Sequence, residues 1–372
     1  MDKQEKDKFI SAVSVLVGTT IGVGFLGMPY IAAQSGFLIV LFYLLLFSVI
    51  VYILNLYFTE ITLRTTKQYQ LTGYAEKYIG KNGKIMMQVA ISIAIYSAII
   101  AYLFAVGESI SFLFFGSIDN YLIVGTLFGI FMSYMLWGNL EALKKYEKMG
   151  VFSILFLFFL TFFSFLPDVK IENLTTVNLE LFYLPIGMVL FSLIAFYTIS
   201  EVREILRGSE HLIKRAVTFG TFIPVIFYAL FTFIVVGNFG EKTPQLATFA
   251  LGSIFILVGI IAMFTSYLAL GTSLKRAYLY DFEYNKNKSW FLVTMIPLAM
   301  FLVGDLFNLS FIGILSVGGL VSGGAMVLLI LIINKRSEKL GDRTPEFILK
   351  INNMIIFFIS FVFISGIIFN FI

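Results

Sequence analysis

Residues 15–30 read VLVGTTIGVGFLGMPY. Four glycines (Gly18, Gly22, Gly24 and Gly27) fall in a run that is otherwise apolar apart from Thr19 and Thr20, and Pro29 follows. Each interior glycine weakens a helix by up to about 1 kcal/mol relative to alanine. In hydrocarbon, every freed backbone N–H or C=O must find a partner. Such a run therefore suits either close packing of helices through small residues or an unwound stretch lining a cavity. The glycines cluster instead of lining one helix face, which favours unwinding. The run SVGGLVSGG at 316–324 reads instead as packing.

The rest of the chain places this run in a membrane. The 372 residues are 59% hydrophobic and 13% charged, with mean hydropathy +0.95. Soluble domains carry roughly a quarter charged residues. Cysteine is absent and His211 is the single histidine. Disulfide frameworks, thiolate metal sites and His-cluster sites are therefore excluded. Nothing in the sequence points to nucleic acid; the partners expected are a lipid bilayer and a small molecule. The apolar run after the charged start, Met1 to Lys8, is too long for a signal-peptide core, so it is expected to be retained.

A membrane helix needs about 20 mostly apolar residues. Runs of this kind fall at 9–35, 37–63, 85–115, 120–139, 148–167, 182–200, 214–237, 249–274, 289–304, 308–334 and 347–371. The ninth is the shortest. With the N-terminus in the cytoplasm, 24 of the 26 Lys and Arg residues fall in cytoplasmic segments, leaving only Lys170 and Lys242 outside. The positive-inside rule requires such a bias, and a missed span would scramble it. The expectation is an all-α, multi-pass protein of the cell membrane with eleven spans, an inner N-terminus and an outer C-terminus. The segments 70–82 and 201–215 are expected to form short interfacial helices. No linker divides the chain, so 1–372 is read as one domain.

The sixth span continues as LPIGMVLFSLIAFYTISEVREIL at 184–206, with Ser192, Ala195, Thr198 and Ser200 in mid-run. These residues fit a second break. Five spans precede it, and an odd number inverts whatever follows. Segments 9–167 and 182–334 are thus expected to be inverted repeats. Interrupted helices at corresponding places in two such repeats point to a substrate site near the membrane midplane. An amino acid, being a zwitterion, suits the free N–H and C=O ends of two broken helices without any ionised side chain.

The stretch GTTIGVGFLGMPYIAAQSGF at 18–37 resembles the first helix of the amino acid/auxin permease family. IYSAIIAYLFAVGES at 95–109 and FSLIAFYTISEVREIL at 191–206 resemble its third and sixth helices, and YQLTGYAEKYIGKNGK at 69–84 its first cytoplasmic loop. The resemblance implies a LeuT-type five-plus-five inverted repeat with an extra helix at 347–371, and amino acid uptake or efflux. It implies that Gly22, Val23 and Gly24 present backbone to a substrate carboxylate, and that Phe191, Ser192 and Ala195 present backbone to the amine. Phe196 and Tyr197 would close over the side chain, with Tyr102 facing the site. No cofactor is implied.

The coupling ion stays open. Gly18, Ile21, Ala262, Thr265 and Ser266 match, in spacing, the carbonyls and hydroxyls of a LeuT-type sodium site; the alternative is that the hydroxyls bond back to their own helix. Sodium-coupled members of the amino acid/auxin permease family often carry Asn where Gly18 stands, a departure that weakens the match. Proton coupling would fall to Glu108, an intramembrane carboxylate, or to Lys148, whose alternative is a snorkelling interfacial lysine. Asp305 is read as a turn residue or cap, and Asn173-Leu174-Thr175 as an outer-loop sequon. Three functional classes compete: a transporter of neutral amino acids, a nutrient receptor subunit of the same fold, and an intramembrane enzyme. The enzyme is disfavoured, since no His, Cys or paired carboxylates sit in mid-membrane.

Overall fold

The computed structural model describes residues 1–22, 24–138, 161–307 and 309–349, together with 155, 158, 159, 354, 357, 361–363 and 365. All regular structure among the described residues is helical. Among the described residues, seven helices are long and apolar enough to cross a bilayer, or eight if a bent pair is counted as one span.

The bent pair is the glycine-rich run. Helix α1 (Lys3–Thr20) starts on a capping box in which Asp2 accepts from the Glu5 N–H at 2.7 Å. It ends where Ile21 leaves helical geometry, and Gly22 N–H turns back to the Thr20 carbonyl at 2.7 Å. Helix α2 (Gly24–Ser35) then departs at 50°. Gly36, at φ +114°, allows the chain to reverse into α3 (Phe37–Leu63). A Cβ there would lie 2.5 Å from the Thr176 carbonyl oxygen, so glycine is required twice over.

The segment expected as an interfacial helix is α4 (Leu71–Ile79), with Leu71, Tyr74, Ala75 and Tyr78 buried on one face. Next come α5 (Lys81–Phe115) and α6 (Tyr121–Trp137). At 17 residues α6 is apolar but spans only about 25 Å, short of a full hydrocarbon core. Half of the fifth expected span, 148–167, and most of the eleventh, 347–371, lie outside the described residues, as does Lys148.

The sixth span is broken. Helix α7 (Pro185–Leu193) stops where Ile194 becomes extended, a short 3-10 turn covers Phe196–Thr198, and α8 (Ile199–Ile205) follows. The expected interfacial helix at 201–215 is therefore corrected. Its first part is the second half of the broken span, and its end is the start of α9 (Ile213–Phe239). Helices α10 (Ser253–Arg276), α11 (Lys286–Leu306) and α12 (Phe311–Leu340) complete the described bundle.

Packing sorts these helices by position. Helix α11 is only one-third buried, whereas α5 and α12 are buried over most of their length. The glycines of 316–324 pack as expected. A Cβ on Gly319 would lie 2.7 Å from the Phe191 nitrogen, and one on Gly187 would lie 2.7 Å from the Ser316 carbonyl. The backbones of α7 and α12 thus touch.

The two ends of the bundle are tied differently. At the Lys/Arg-rich end, the loop after α3 is clamped from both sides. Buried Arg203 of α8 donates to the Thr65 carbonyl at 2.8 Å and to the Tyr74 hydroxyl at 3.2 Å. Asp342 accepts from Thr66 N–H and Lys77, both at 2.7 Å. Fully buried Glu60 pairs with Arg64 at 2.7 Å and accepts the Leu349 N–H at 2.9 Å, the partners that a buried carboxylate needs. At the opposite end, the segment between α9 and α10 folds inward. Ala247, completely buried, donates its N–H to the Leu26 carbonyl of α2 at 3.0 Å.

Candidate functional site

The two breaks face one cavity. Thr19, Thr20, Gly22 and Gly24 line it from the first break, and Phe191, Ser192, Ile194 and Tyr197 from the second. Ala94, Ile95, Ala98 and Tyr102 of α5, Leu270 of α10 and Ser322 of α12 close the sides. The space free of protein atoms is about 480 Å³, part of it open to solvent.

The helix ends give this cavity its polarity. Helix α2 begins at Gly24, so its first N–H groups have no acceptor within the helix and carry the positive end of its dipole. Helices α1 and α7 end beside it at Thr20 and Leu193, each presenting carbonyls and a negative dipole end. A carboxylate is thus favoured at the start of α2, and an ammonium at the ends of α1 and α7. The lining residues include no Asp, Glu, Lys, Arg or His. The hydroxyls of Thr19, Thr20, Ser192 and Ser322 each donate to a carbonyl of their own helix, leaving oxygen lone pairs toward a guest.

Glycine at 22 and 24 has different grounds. A Cβ on Gly24 would lie 2.7 Å from Ser192 Cβ and 3.1 Å from its Cα, so the two breaks are in backbone contact here. A Cβ on Gly22 would meet Tyr102 Oη at 3.5 Å, an ordinary contact made within the cavity.

Of the residues expected at the site, Gly22, Gly24, Tyr102, Phe191, Ser192 and Tyr197 meet around this space. Ala195 and Phe196 lie buried in the second break without lining it. Val23 is outside the described residues. Among the candidate ion ligands, Gly18 lies in α1, Ile21 caps it, and Ala262, Thr265 and Ser266 lie in α10. Thr265 donates to the Ala262 carbonyl at 3.0 Å.

Glu108 sits half-buried in the last turns of α5, and nearby Tyr121 of α6 donates its hydroxyl to Asp305. Asp305 is therefore no simple turn residue: it lies in the last turn of α11 and links that helix to α6.

Several residues around the cavity carried no sequence signal. Ser322 and Leu270 are single small or apolar residues in apolar helices. Tyr228 of α9 reaches both breaks from outside any motif. Lys275, also buried, donates to the Leu136 carbonyl at 2.6 Å and satisfies the end of α6. In sequence it looks like its neighbours Arg276, Lys286 and Lys288, and nothing hints at that role.

Taken together, these features define a multi-pass helical membrane protein that encloses an uncharged cavity between two interrupted helices. Residues 5–254 match the model of the tryptophan/tyrosine permease family, and the chain belongs to that family. The chain is 26% identical over 303 residues to "Glutamine transporter 2" of Aliivibrio fischeri, covering 75% of each chain. It is 29% identical over 234 residues to "Tyrosine-specific transport system 2" of Haemophilus influenzae. It is 25% identical over 229 residues to "Tyrosine-specific transport system 1" of the same organism. Each of the last two alignments covers 60% of this chain and 56% of the relative. The resemblance to the amino acid/auxin permease family is thereby corrected. The glycine-rich motif that suggested it records a physical need, close backbone approach at a helix break, and that need does not distinguish one permease family from another.

Proposed function

We propose that this chain is a secondary active transporter of a neutral amino acid, working by alternating access in the cell membrane. The observation that carries the reading is the cavity's polarity: N–H groups at one helix end, carbonyls at two others, and no charged side chain among its lining residues. A charged substrate side chain would find no counter-ion there and would carry its desolvation cost uncompensated. Family membership supports transport. The relatives' names, for glutamine and tyrosine, are consistent with neutral cargo.

The architecture proposed is eleven spans, as two inverted repeats of LeuT type plus one helix, with the N-terminus inside. Two features support it: the breaks fall in the first and sixth expected spans, and the Lys/Arg residues gather at one end. Reporter fusions at both termini test it, and both termini on one side would sink the count.

For the driving ion we propose sodium, held by the Gly18 and Ile21 carbonyls, the Ala262 carbonyl and the Thr265 and Ser266 hydroxyls. Sodium is a hard cation and takes oxygen ligands. The carbonyls at the end of α1 are of that kind, and occupancy would hold α1 against α10 and bias one access state. The rival is a proton carried by Glu108 or Lys148. The deciding measurement is uptake into proteoliposomes under a sodium gradient at equal pH, against a pH gradient without sodium. Thermal stabilisation of the purified protein by each of the twenty amino acids identifies the substrate. Stabilisation by lysine or glutamate above every neutral amino acid would refute the neutral-cargo reading.

A further inference from the structure

Tyr228 lies on α9, and its side chain is completely buried. Its hydroxyl meets two backbone carbonyls, that of Thr20 at 2.5 Å and that of Ser192 at 3.2 Å. These oxygens belong to the two different broken spans. Thr20 is the last residue of α1, and Ser192 is the last but one of α7. In a continuous helix each carbonyl would accept from the N–H four residues on; the breaks interrupt that ladder, and a phenol from a third helix stands at both interruptions.

Helix α9 is a suitable frame for such a link. Phe227 and Phe231, on either side of Tyr228, pack edge-on against Phe25 of α2, with ring centroids 5.7 and 5.1 Å apart. One turn and more before them, Gly220 lies so close to α1 that a Cβ would sit 2.5 Å from Leu16 Cβ. Helix α9 therefore grips both halves of the first span, and Tyr228 adds the second span through Ser192. No charged side chain lines the adjoining cavity, so the link is a neutral hydrogen bond between buried groups.

We infer that Tyr228 is a positioning residue that pins the two helix breaks to each other, so that they shift as one unit during the transport cycle. The inference rests on the transporter reading above. A phenol has one proton for two acceptors. The shorter contact to Thr20 takes the larger share, and Ser192 holds the weaker one. Phenylalanine would fill the same volume and leave both carbonyls without this donor, so the exchange isolates the hydrogen bond from the packing.

The chain contains no cysteine, so Ser322→Cys places a single thiol in the cavity wall. The experiment measures the rate at which N-ethylmaleimide labels this thiol in the purified protein, with Tyr228 intact, with Tyr228→Phe, and with 4-aminophenylalanine at 228, which keeps a donor on the ring. Removal of the pin is expected to speed labelling on the order of tenfold, the scale on which one buried hydrogen bond shifts a local equilibrium. The melting temperature should stay near that of the parent, and the amino-substituted ring should return the rate toward the parent value. Equal labelling with and without the hydroxyl overturns the inference. So does faster labelling accompanied by a large fall in melting temperature that the amino-substituted ring does not restore, since Tyr228 would then serve packing alone. Proteoliposome uptake of each of the twenty amino acids by the parent runs alongside. Failure of all twenty amino acids there would remove the transporter reading, while the labelling comparison would still decide whether the breaks are pinned.

Discussion

The contact between Gly24 and Ser192 admits a sharp test. A methyl at position 24 would lie 2.7 Å from Ser192 Cβ and 3.1 Å from its Cα, where ordinary contacts begin at 3.4 Å. The overlap is thus 0.7 Å at the nearer of these atoms, by subtraction. Neither atom is the far end of a flexible side chain, so relief requires the two breaks to move apart. Overpacking of this kind costs about 1–3 kcal/mol, against which alanine's better helix propensity returns at most about 1. The clash wins. Gly24→Ala should therefore lower uptake, and Gly24→Val should abolish it, with the protein still reaching the membrane. Ser192→Gly removes the Cβ and hydroxyl while leaving its Cα in place, so the pair Gly24→Ala with Ser192→Gly should recover part of the lost uptake. The assay is initial-rate uptake in proteoliposomes, normalised to inserted protein, for the parent, both single variants and the pair. Non-additivity of this kind marks direct contact. Full activity of Gly24→Ala, or a pair no better than the worse single variant, would refute the reasoning.

Gly22→Ala should fold with parental stability, because its methyl meets Tyr102 Oη at 3.5 Å, yet it should weaken substrate binding by occupying cavity space; titration by thermal shift checks both. Thr265→Ala with Ser266→Ala should weaken sodium dependence more than substrate affinity, measured by uptake against sodium concentration. Asp342 responds to acid. The hydrogen bonds from Lys77 and from Thr66 N–H pull its carboxyl down to about 2, below the ordinary value of about 4. Its contribution to stability is therefore complete above the ordinary value and is lost as pH falls toward 2. Asp342→Asn should lower the melting temperature slightly at pH 7, since the pair is half exposed, and the difference should shrink through pH 4 to 2 and vanish only below that.

Much of this was legible in sequence because bilayers leave few choices. Apolar length marks spans, and a glycine cluster in hydrocarbon marks either packing or a break. Both patterns were readable at 15–30, and the structure resolves them through the same type of residue: Gly24 touches Ser192, while Gly319 packs on α7. The residues that close the site were not legible. Tyr228 acts through its hydroxyl on carbonyls far away in the chain, and any tyrosine in an apolar helix looks alike. In sequence nothing separates Arg203 from the other Lys and Arg residues, or Glu60 from the other acids; burial and partners, which depend on tertiary contacts, set them apart. The interfacial helix expected at 201–215 failed for a related reason. Its start belongs to α8, where Arg203 donates to the Thr65 carbonyl and the Tyr74 hydroxyl, contacts that the local sequence does not announce.

The hydrogen bond from Ala247 to Leu26 bears on time as well as on shape. Helix α2 tilts away from the bundle either by breaking this bond or by carrying the buried segment around Ala247 with it. An isolated side chain turns in nanoseconds, whereas a helix and a docked loop leaving together belong to the microsecond-to-millisecond class. Access from that end is therefore paced by the protein's own clock. As substrate concentration rises, the rate of entry should level off at the rate of this joint departure, well before diffusion sets the limit.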